Sequence, residues 1–215
     1  RRLYGYSNRM AMNVLLINSE KPRTGKSTYV QHLQQTYTGI KHLSFAGPIK
    51  NLSIQFADAL YTNLPSMEHN PIDYHTSTKD KPIGGIFENN TPRELVCDVS
   101  DLYSKFTNPN IWGMVAYENI CRAKEEGFEY CIFDDWRRFK ESKYLQDKQD
   151  LKVITLYLSK SDIEFTPTSG SVASFEGNIS ANDCDLAFEF TSNWDNTPEL
   201  DSVLSTYLGL KYNHG

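Results

Sequence analysis

The chain has 215 residues, 39% of them hydrophobic and 23% charged, with 22 Lys and Arg against 27 Asp and Glu. That fits one globular domain, or one domain with a sizeable insertion, able to bury a core without disulfide staples. The net charge of -5 excludes a general electrostatic grip on nucleic acid, and no apolar run approaches the roughly 18 residues of a membrane-spanning helix.

In chain order, residues 1–11 open Arg1-Arg2-Leu3-Tyr4 with no apolar stretch behind them. They read as a tag remnant or mobile arm rather than a signal peptide, with Met10 or Met12 as the natural start. Asn13–Asn18 is a short branched apolar run and reads as a buried strand. A loop follows, then a helix from Lys26 to about Thr36. Lys41–Ala46 is a second strand candidate, and Pro48–Tyr61 an amphipathic helix. Residues 62–90 form a long polar connection broken by Pro65, Pro71, Pro82, Gly84 and Gly85.

Thr91 starts a helix with Thr at the N-cap, Pro at N1 and Glu at N3, the pattern of a capping box. That leaves Arg93 unexplained, since a cation in the first turn opposes the helix dipole unless it meets an anion. A helix over Asn110–Glu126 precedes a strand at Tyr130–Phe133. A helix at Lys140–Gln149, strands at Val153–Leu158 and Leu186–Phe190, and a helix at Thr197–Leu208 complete the chain. Strands alternating with helices predict an α/β fold: a parallel five-stranded sheet in three layers.

Cys97, Cys121, Cys131 and Cys184 are widely spaced and form no metal or disulfide pattern. They predict a reduced, cytoplasmic protein. His32, His42, His69, His75 and His214 show no catalytic spacing and read as surface or loop residues. Trp112 and Trp136 read as core or pocket wall, with Trp136 placed where base contact is open to it. The acidic stretch from Asp183 to Asp201 reads as a solvated face.

The strongest motif is Glu20-Lys21-Pro22-Arg23-Thr24-Gly25-Lys26-Ser27. It lies between a buried strand and a helix, where a phosphate loop must lie. Gly25 lets backbone approach a phosphate, and the helix start offers an anion nest. Lys26 is placed to reach the β/γ-phosphates and Ser27 to ligate Mg²⁺. Asp134-Asp135-Trp136-Arg137 follows the third strand, and a carboxylate at that edge shares the rim of the phosphate loop. The bland alternatives are a Gly-Lys-Ser turn capping an ordinary helix and an acidic helix N-cap at Asp134 or Asp135.

The ordered set of short blocks resembles the deoxynucleoside monophosphate kinases of tailed bacteriophages. The blocks are Pro22-Arg23-Thr24-Gly25-Lys26-Ser27-Thr28, Ala46-Gly47-Pro48-Ile49-Lys50, Lys79-Asp80-Lys81-Pro82, Thr91-Pro92-Arg93-Glu94-Leu95, Asn108-Pro109-Asn110-Ile111-Trp112, and Asp135, Arg137 and Glu141. The resemblance implies a P-loop nucleotide-kinase-like domain over 12–210, with an acceptor-binding insertion near 62–108 and a lid-like segment near 160–182. It implies phosphoryl transfer from ATP with Mg²⁺ to a deoxynucleoside monophosphate, in the nucleotide metabolism of an infected host cytoplasm. Arg23, Thr24, Gly25, Lys26, Ser27 and Thr28 would hold ATP. Ser27, Asp134 and Asp135 would hold the metal. Lys50, Arg93, Trp136 and Arg137 would hold the acceptor, and Lys26, Asp135 and Arg137 would serve catalysis. The partner expected is a small nucleotide, with neither nucleic acid nor membrane, and a homodimer is left open.

The chain departs from the family pattern at three places. Glu20 replaces a loop Gly, where its charge faces the polyphosphate path. Val99–Lys105 lacks the usual Gly-Thr pair and Arg. No Arg follows Arg138, so the lid-like segment has none. These departures predict weak nucleotide affinity and turnover, with Glu20→Gly tightening ATP binding. They support an alternative: a kinase-derived binding or structural protein that keeps the fold without the chemistry.

Overall fold

A computed structural model describes residues 11–19, 24–75, 78–161, 179–190 and 197–213. The chain divides into two compact units, one of Arg1–Leu43 with Ala116–Gly215 and one of Ser44–Val115.

The first unit holds the sheet. Its strands are β1 (Met12–Ser19), β2 (Ile40–Leu43), β3 (Tyr130–Phe133), β4 (Leu151–Lys160) and β5 (Leu186–Phe190). They lie in the order β2-β3-β1-β4-β5, and every pair is parallel. The expected α/β class with a five-stranded parallel sheet is therefore the observed one. Central position explains the sequence of β1: with neighbours on both edges, seven of its eight residues are buried, and a strand covered on both faces reads as a continuous apolar run. Edge strand β5 instead alternates, with Ala187 and Glu189 exposed and Phe190 buried.

Helices α1 (Lys26–Thr36) and α6 (Thr197–Leu208) share one core with a face of this sheet. Tyr29, Val30, Leu33, Leu204 and Leu208 meet Leu15, Ile17, Ile132 and Leu156 there. The alternate residues Val14, Leu16, Cys131 and Phe133 are equally buried, so neither face of the central strands meets solvent. Burial of roughly this kind is worth about 1.5–3 kcal/mol per large aliphatic side chain. A polar tie lies in the same layer. Asp201 of α6, only 8% exposed, accepts from the Tyr29 hydroxyl at 2.8 Å and faces His32 Nε2 at 2.6 Å. Asp185 likewise accepts from Thr155 N and Oγ1, both at 2.8 Å. The acidic stretch from Asp183 to Asp201 is therefore not simply a solvated face. Asp201 precedes the buried Leu204 and Leu208 by three and seven residues on α6, so it shares their inward face.

The second unit packs helix α2 (Ala46–Asn63) against α3 (Pro92–Phe106). Ile49, Ala57, Tyr61, Phe87, Leu95, Val99 and Trp112 form its core. The predicted strand Lys41–Ala46 is shorter than expected. It stops at Leu43, because the Ser44 hydroxyl accepts from Gly47 N at 2.8 Å and turns the chain into a helix. Pro48 is no obstacle, since a first-turn residue needs no N–H partner. Around Thr91 the expected capping box is complete: Glu94 N donates to Thr91 Oγ1 at 3.2 Å, and Thr91 N to Glu94 Oε2 at 2.8 Å.

Helix α4 (Ile111–Glu125) runs across the division between the units, and α5 (Phe139–Gln146) precedes β4. The lid-like segment falls largely on residues outside the description, as do Glu20 and Arg23. No helix among the described residues is long and apolar enough to cross a membrane.

Candidate phosphate and metal site

Strand order builds the site. The chain leaves β1 through α1 for β2, and leaves β3 through α5 for β4, so it departs from these two neighbouring strands in opposite directions. In open parallel sheets the crevice beyond the strand ends at such a switch is where ligands bind. The ends of the parallel neighbours β1 and β3 therefore lie on one rim, the edge expected to carry Lys26 and Asp135.

After β1 the chain enters α1 through Gly25, with φ 93 and ψ 16. That left-handed backbone is one an L side chain adopts only with strain, so the Gly is required by the turn. Helix α1 has no side-chain cap and no acid in its first turn. Its start therefore keeps the partial positive charge that attracts phosphate. Gly25 occupies the N-cap position itself, as the reading of Gly25-Lys26-Ser27 as a capping turn also has it. Thr24 is buried, while Ser27 and Thr28 are exposed on the first turn. The Lys26 ammonium donates to the Ser19 hydroxyl at the end of β1, which draws the long side chain back toward that strand end.

After β3, Asp134 is the junction of the rim. Its Oδ2 accepts from the Ser27 hydroxyl at 2.5 Å, and its Oδ1 accepts from His42 Nε2 at 2.8 Å. A carboxylate donates nothing when ionised, so His42 carries its proton on Nε2. Burial pushes the Asp134 carboxyl up, but the bonds from His42 and Ser27 outweigh it and hold the group below the ordinary carboxylate range. The same bond holds the His42 imidazole above its ordinary range, against the effect of burial. Asp134 is no helix cap, because α5 starts five residues later with Arg138 at its N-cap.

The loop beyond Asp134 is tied down from β1. Asn18 Nδ2 donates to the Trp136 carbonyl at 2.7 Å, and Trp136 Nε1 donates to the Arg138 carbonyl at 2.9 Å. The Trp136 ring is 1% exposed and meets Phe139 edge-on. It therefore packs as wall, with its indole N–H already used. Asp135 and Arg137 are half-buried in this loop. Glu141, on the first turn of α5, is 6% exposed, and burial pushes its carboxyl up to about 7, with Arg138 opposing and Asp135 adding.

The donor set can be tested against Mg²⁺ on its chemistry. A hydroxyl and an ionised carboxylate in direct contact are two hard oxygens, the ligand type Mg²⁺ takes when phosphates and water complete its shell. The residues fit the ion in that limited form. No group of three or more His, Cys, Asp or Glu among the described residues forms a closed metal cage.

Lys50 and Arg93 belong to the second unit. The Lys50 ammonium lies 5.8 Å from the centre of the Tyr74 ring. Arg93 meets an anion, as its position on α3 required, and that anion is Asp80: Nε to Oδ1 at 2.5 Å and Nη2 to Oδ2 at 3.2 Å.

Two rim residues escaped the sequence reading. His42 is not an isolated surface histidine. It is the penultimate residue of β2, paired in register with Ile132, one strand over from the end of β3. Asn18 falls within the run Asn13–Asn18, which the sequence marks only as a strand. The signal for both was strand order, which places β2 beside β3 and β3 beside β1.

No protein-family model matches this chain, and no curated protein matches it. Among solved structures it is similar to the unliganded crystal structure of a sugar kinase from Janibacter sp. HTCC2649. The identity is 12% and the TM-score 0.42, over 93% of this chain and 95% of that one.

Proposed function

We propose that this chain transfers a phosphoryl group from Mg²⁺·ATP to a deoxynucleoside monophosphate. The observation that carries the reading is the Ser27–Asp134 contact at 2.5 Å, made where an uncapped helix start follows the phosphate-loop sequence. Phosphoryl transfer asks the protein for position and for positive charge around spreading negative charge. The α1 start and Lys26 supply these at the donor phosphates. Ser27 and Asp134, with Asp135 beside them, would hold Mg²⁺, which neutralises charge on the phosphate oxygens when bound. Arg137 on the same rim would steady the transferring group. Arg23 would join the donor side, and Lys50 and Arg93 would hold the acceptor phosphate, Arg93 after exchanging Asp80 for it.

The second reading is a kinase-derived binding protein without turnover. It is favoured by Glu20 in the loop and by the absence of any Arg after Arg138. Titrating ATP and each deoxynucleoside monophosphate by calorimetry, then following ADP release, separates the two. Binding with turnover is expected. No binding at millimolar nucleotide overturns the enzyme reading, and binding without turnover establishes the second one.

A further inference from the structure

Asp134 receives two bonds of different kinds. The Ser27 bond is one that cation binding must exchange, because both oxygens turn to the ion. The His42 bond has no such reason to break. It arrives on the other carboxylate oxygen, at 2.8 Å, from a different strand. The Asp134 side chain is 12% exposed and that of His42 34%, so the bond is shielded at the carboxylate end.

We propose that His42 is a positioning residue: it pins Asp134 by Oδ1, so that Oδ2 faces the nucleotide-bound cation as a single ligand, and the site thereby favours Mg²⁺ over Ca²⁺. This rests on the reading of Ser27 and Asp134 as the cation site of a nucleotide-binding rim. The physical reason lies in how the two ions use carboxylates. Mg²⁺ holds a small, strict octahedron and takes one oxygen from each of few carboxylates. Ca²⁺ is larger, takes more ligands, and often chelates a carboxylate through both oxygens. A carboxylate fixed at Oδ1 cannot rotate to offer both. Hydrogen-bond partners of metal-ligating carboxylates matter at this level: losing one typically costs about 10–100-fold in metal affinity. Nothing in the sequence marked His42 for the role, because it is 92 residues from its partner.

The test measures ATP affinity calorimetrically on the full chain with Mg²⁺, with Ca²⁺ and with EDTA, for wild type, His42→Ala and His42→Gln. In wild type, Mg²⁺ should tighten ATP binding more than Ca²⁺ does. In His42→Ala the Mg²⁺-dependent gain should fall about 10–100-fold, with metal-free ATP affinity unchanged and the Ca²⁺ gain falling less. Gln, which keeps an N–H donor at similar reach, should restore most of the Mg²⁺ gain. If His42→Ala unfolds, His42→Asn takes its place, being polar but too short to reach Oδ1. A wild type whose ATP affinity ignores Mg²⁺ overturns the cation-site reading and this proposal with it. A wild type that responds to Mg²⁺ beside a His42→Ala that responds equally overturns the role of His42 alone.

Discussion

The polar contacts that join different segments of the rim and those around Arg93 are built over different distances in sequence. On the rim, Asn18 bonds across 118 residues to Trp136, Ser27 across 107 to Asp134, and His42 across 92 to the same Asp134. In the second unit, Thr91 and Glu94 cap each other across 3 residues, and Arg93 pairs with Asp80 across 13. The rim is therefore a product of the parallel sheet, which brings the ends of β2, β3 and β1 side by side. The neighbourhood of Arg93 is a product of local sequence. A site assembled by topology is held in place by the whole core, whereas a locally assembled ion pair can exchange partners without disturbing the fold. Under the proposed function, that contrast would suit a fixed donor side and an adaptable acceptor side.

The hardest way to break the comparison is at the donor side. Lys26→Ala should lower turnover by about 10²–10³-fold, the scale of losing one donor aimed at developing charge. The thermal midpoint should stay close to wild type, because Lys26 is no part of the core. ADP release and a thermal melt measure the two. If Lys26→Ala turns over normally while Arg93→Ala is dead, the donor and acceptor sides have been assigned the wrong way round.

How much of this was readable beforehand follows the same division. The capping box at Thr91 was legible because all its parts lie within four residues. The strands Tyr130–Phe133 and Leu186–Phe190 and the helices Lys26–Thr36 and Thr197–Leu208 have the predicted bounds, since apolar runs and turn residues mark them. The observed end of β2 differs because Ser44-Phe45-Ala46 is compatible with a strand until the Ser44 hydroxyl accepts from Gly47 N. His42 and Asp201 were missed for a deeper reason. Each is an ordinary polar residue locally, and only tertiary placement gives it a partner.

A second prediction probes how firmly the rim loop is held. The Glu141 carboxyl is raised by burial from an ordinary 4.5 to about 7. The folded state therefore binds this proton more tightly than the unfolded chain does. Stability from this group is present below the unfolded value, falls as pH rises through about 7, and does not return above it. Glu141→Gln, which cannot ionise, should remove that slope and gain about 3 kcal/mol relative to wild type at pH 8, at 1.36 kcal/mol for each pH unit. Urea unfolding at pH 5 and pH 8 measures the difference. Parallel pH profiles for the two proteins would show that Glu141 is ionised at no such cost.

A smaller effect tests the adaptable side. The Arg93–Asp80 pair has an Arg side chain 18% exposed and an Asp 52% exposed, so solvent screens it. A double-mutant cycle on stability should give a coupling of about 1 kcal/mol or less. Asp80→Asn should then tighten deoxynucleoside monophosphate binding, because Arg93 no longer has to leave a carboxylate, while ATP affinity stays the same. Arg93→Ala should weaken the acceptor and leave ATP alone. Equal loss of both ligands on Arg93→Ala would show that Arg93 supports structure rather than substrate.

The smallest effect sharpens the contrast in the two interiors. In the first unit the buried Tyr29 hydroxyl is satisfied by Asp201. In the second, the Tyr61 hydroxyl is buried with no hydrogen-bond partner among the described residues, on a side chain 7% exposed. It lies close to Gly85, where an added Cβ would come within 3.0 Å of it. An orphaned buried hydroxyl costs its desolvation without the return of a bond, which for a full loss is about 1–3 kcal/mol. Tyr61→Phe removes that cost but also removes the oxygen's packing against the chain around Gly85. The ring contacts with His69 at 4.5 Å and Phe87 at 6.1 Å are kept. The two changes oppose each other, so Tyr61→Phe should leave stability within about 0.5 kcal/mol of wild type, on the stabilising side. Chemical denaturation resolves a change of that size. A loss above about 1 kcal/mol would mean that the Tyr61 hydroxyl is bonded in solution, which would leave the Tyr74 hydroxyl as the unpaired one in this unit among the described residues.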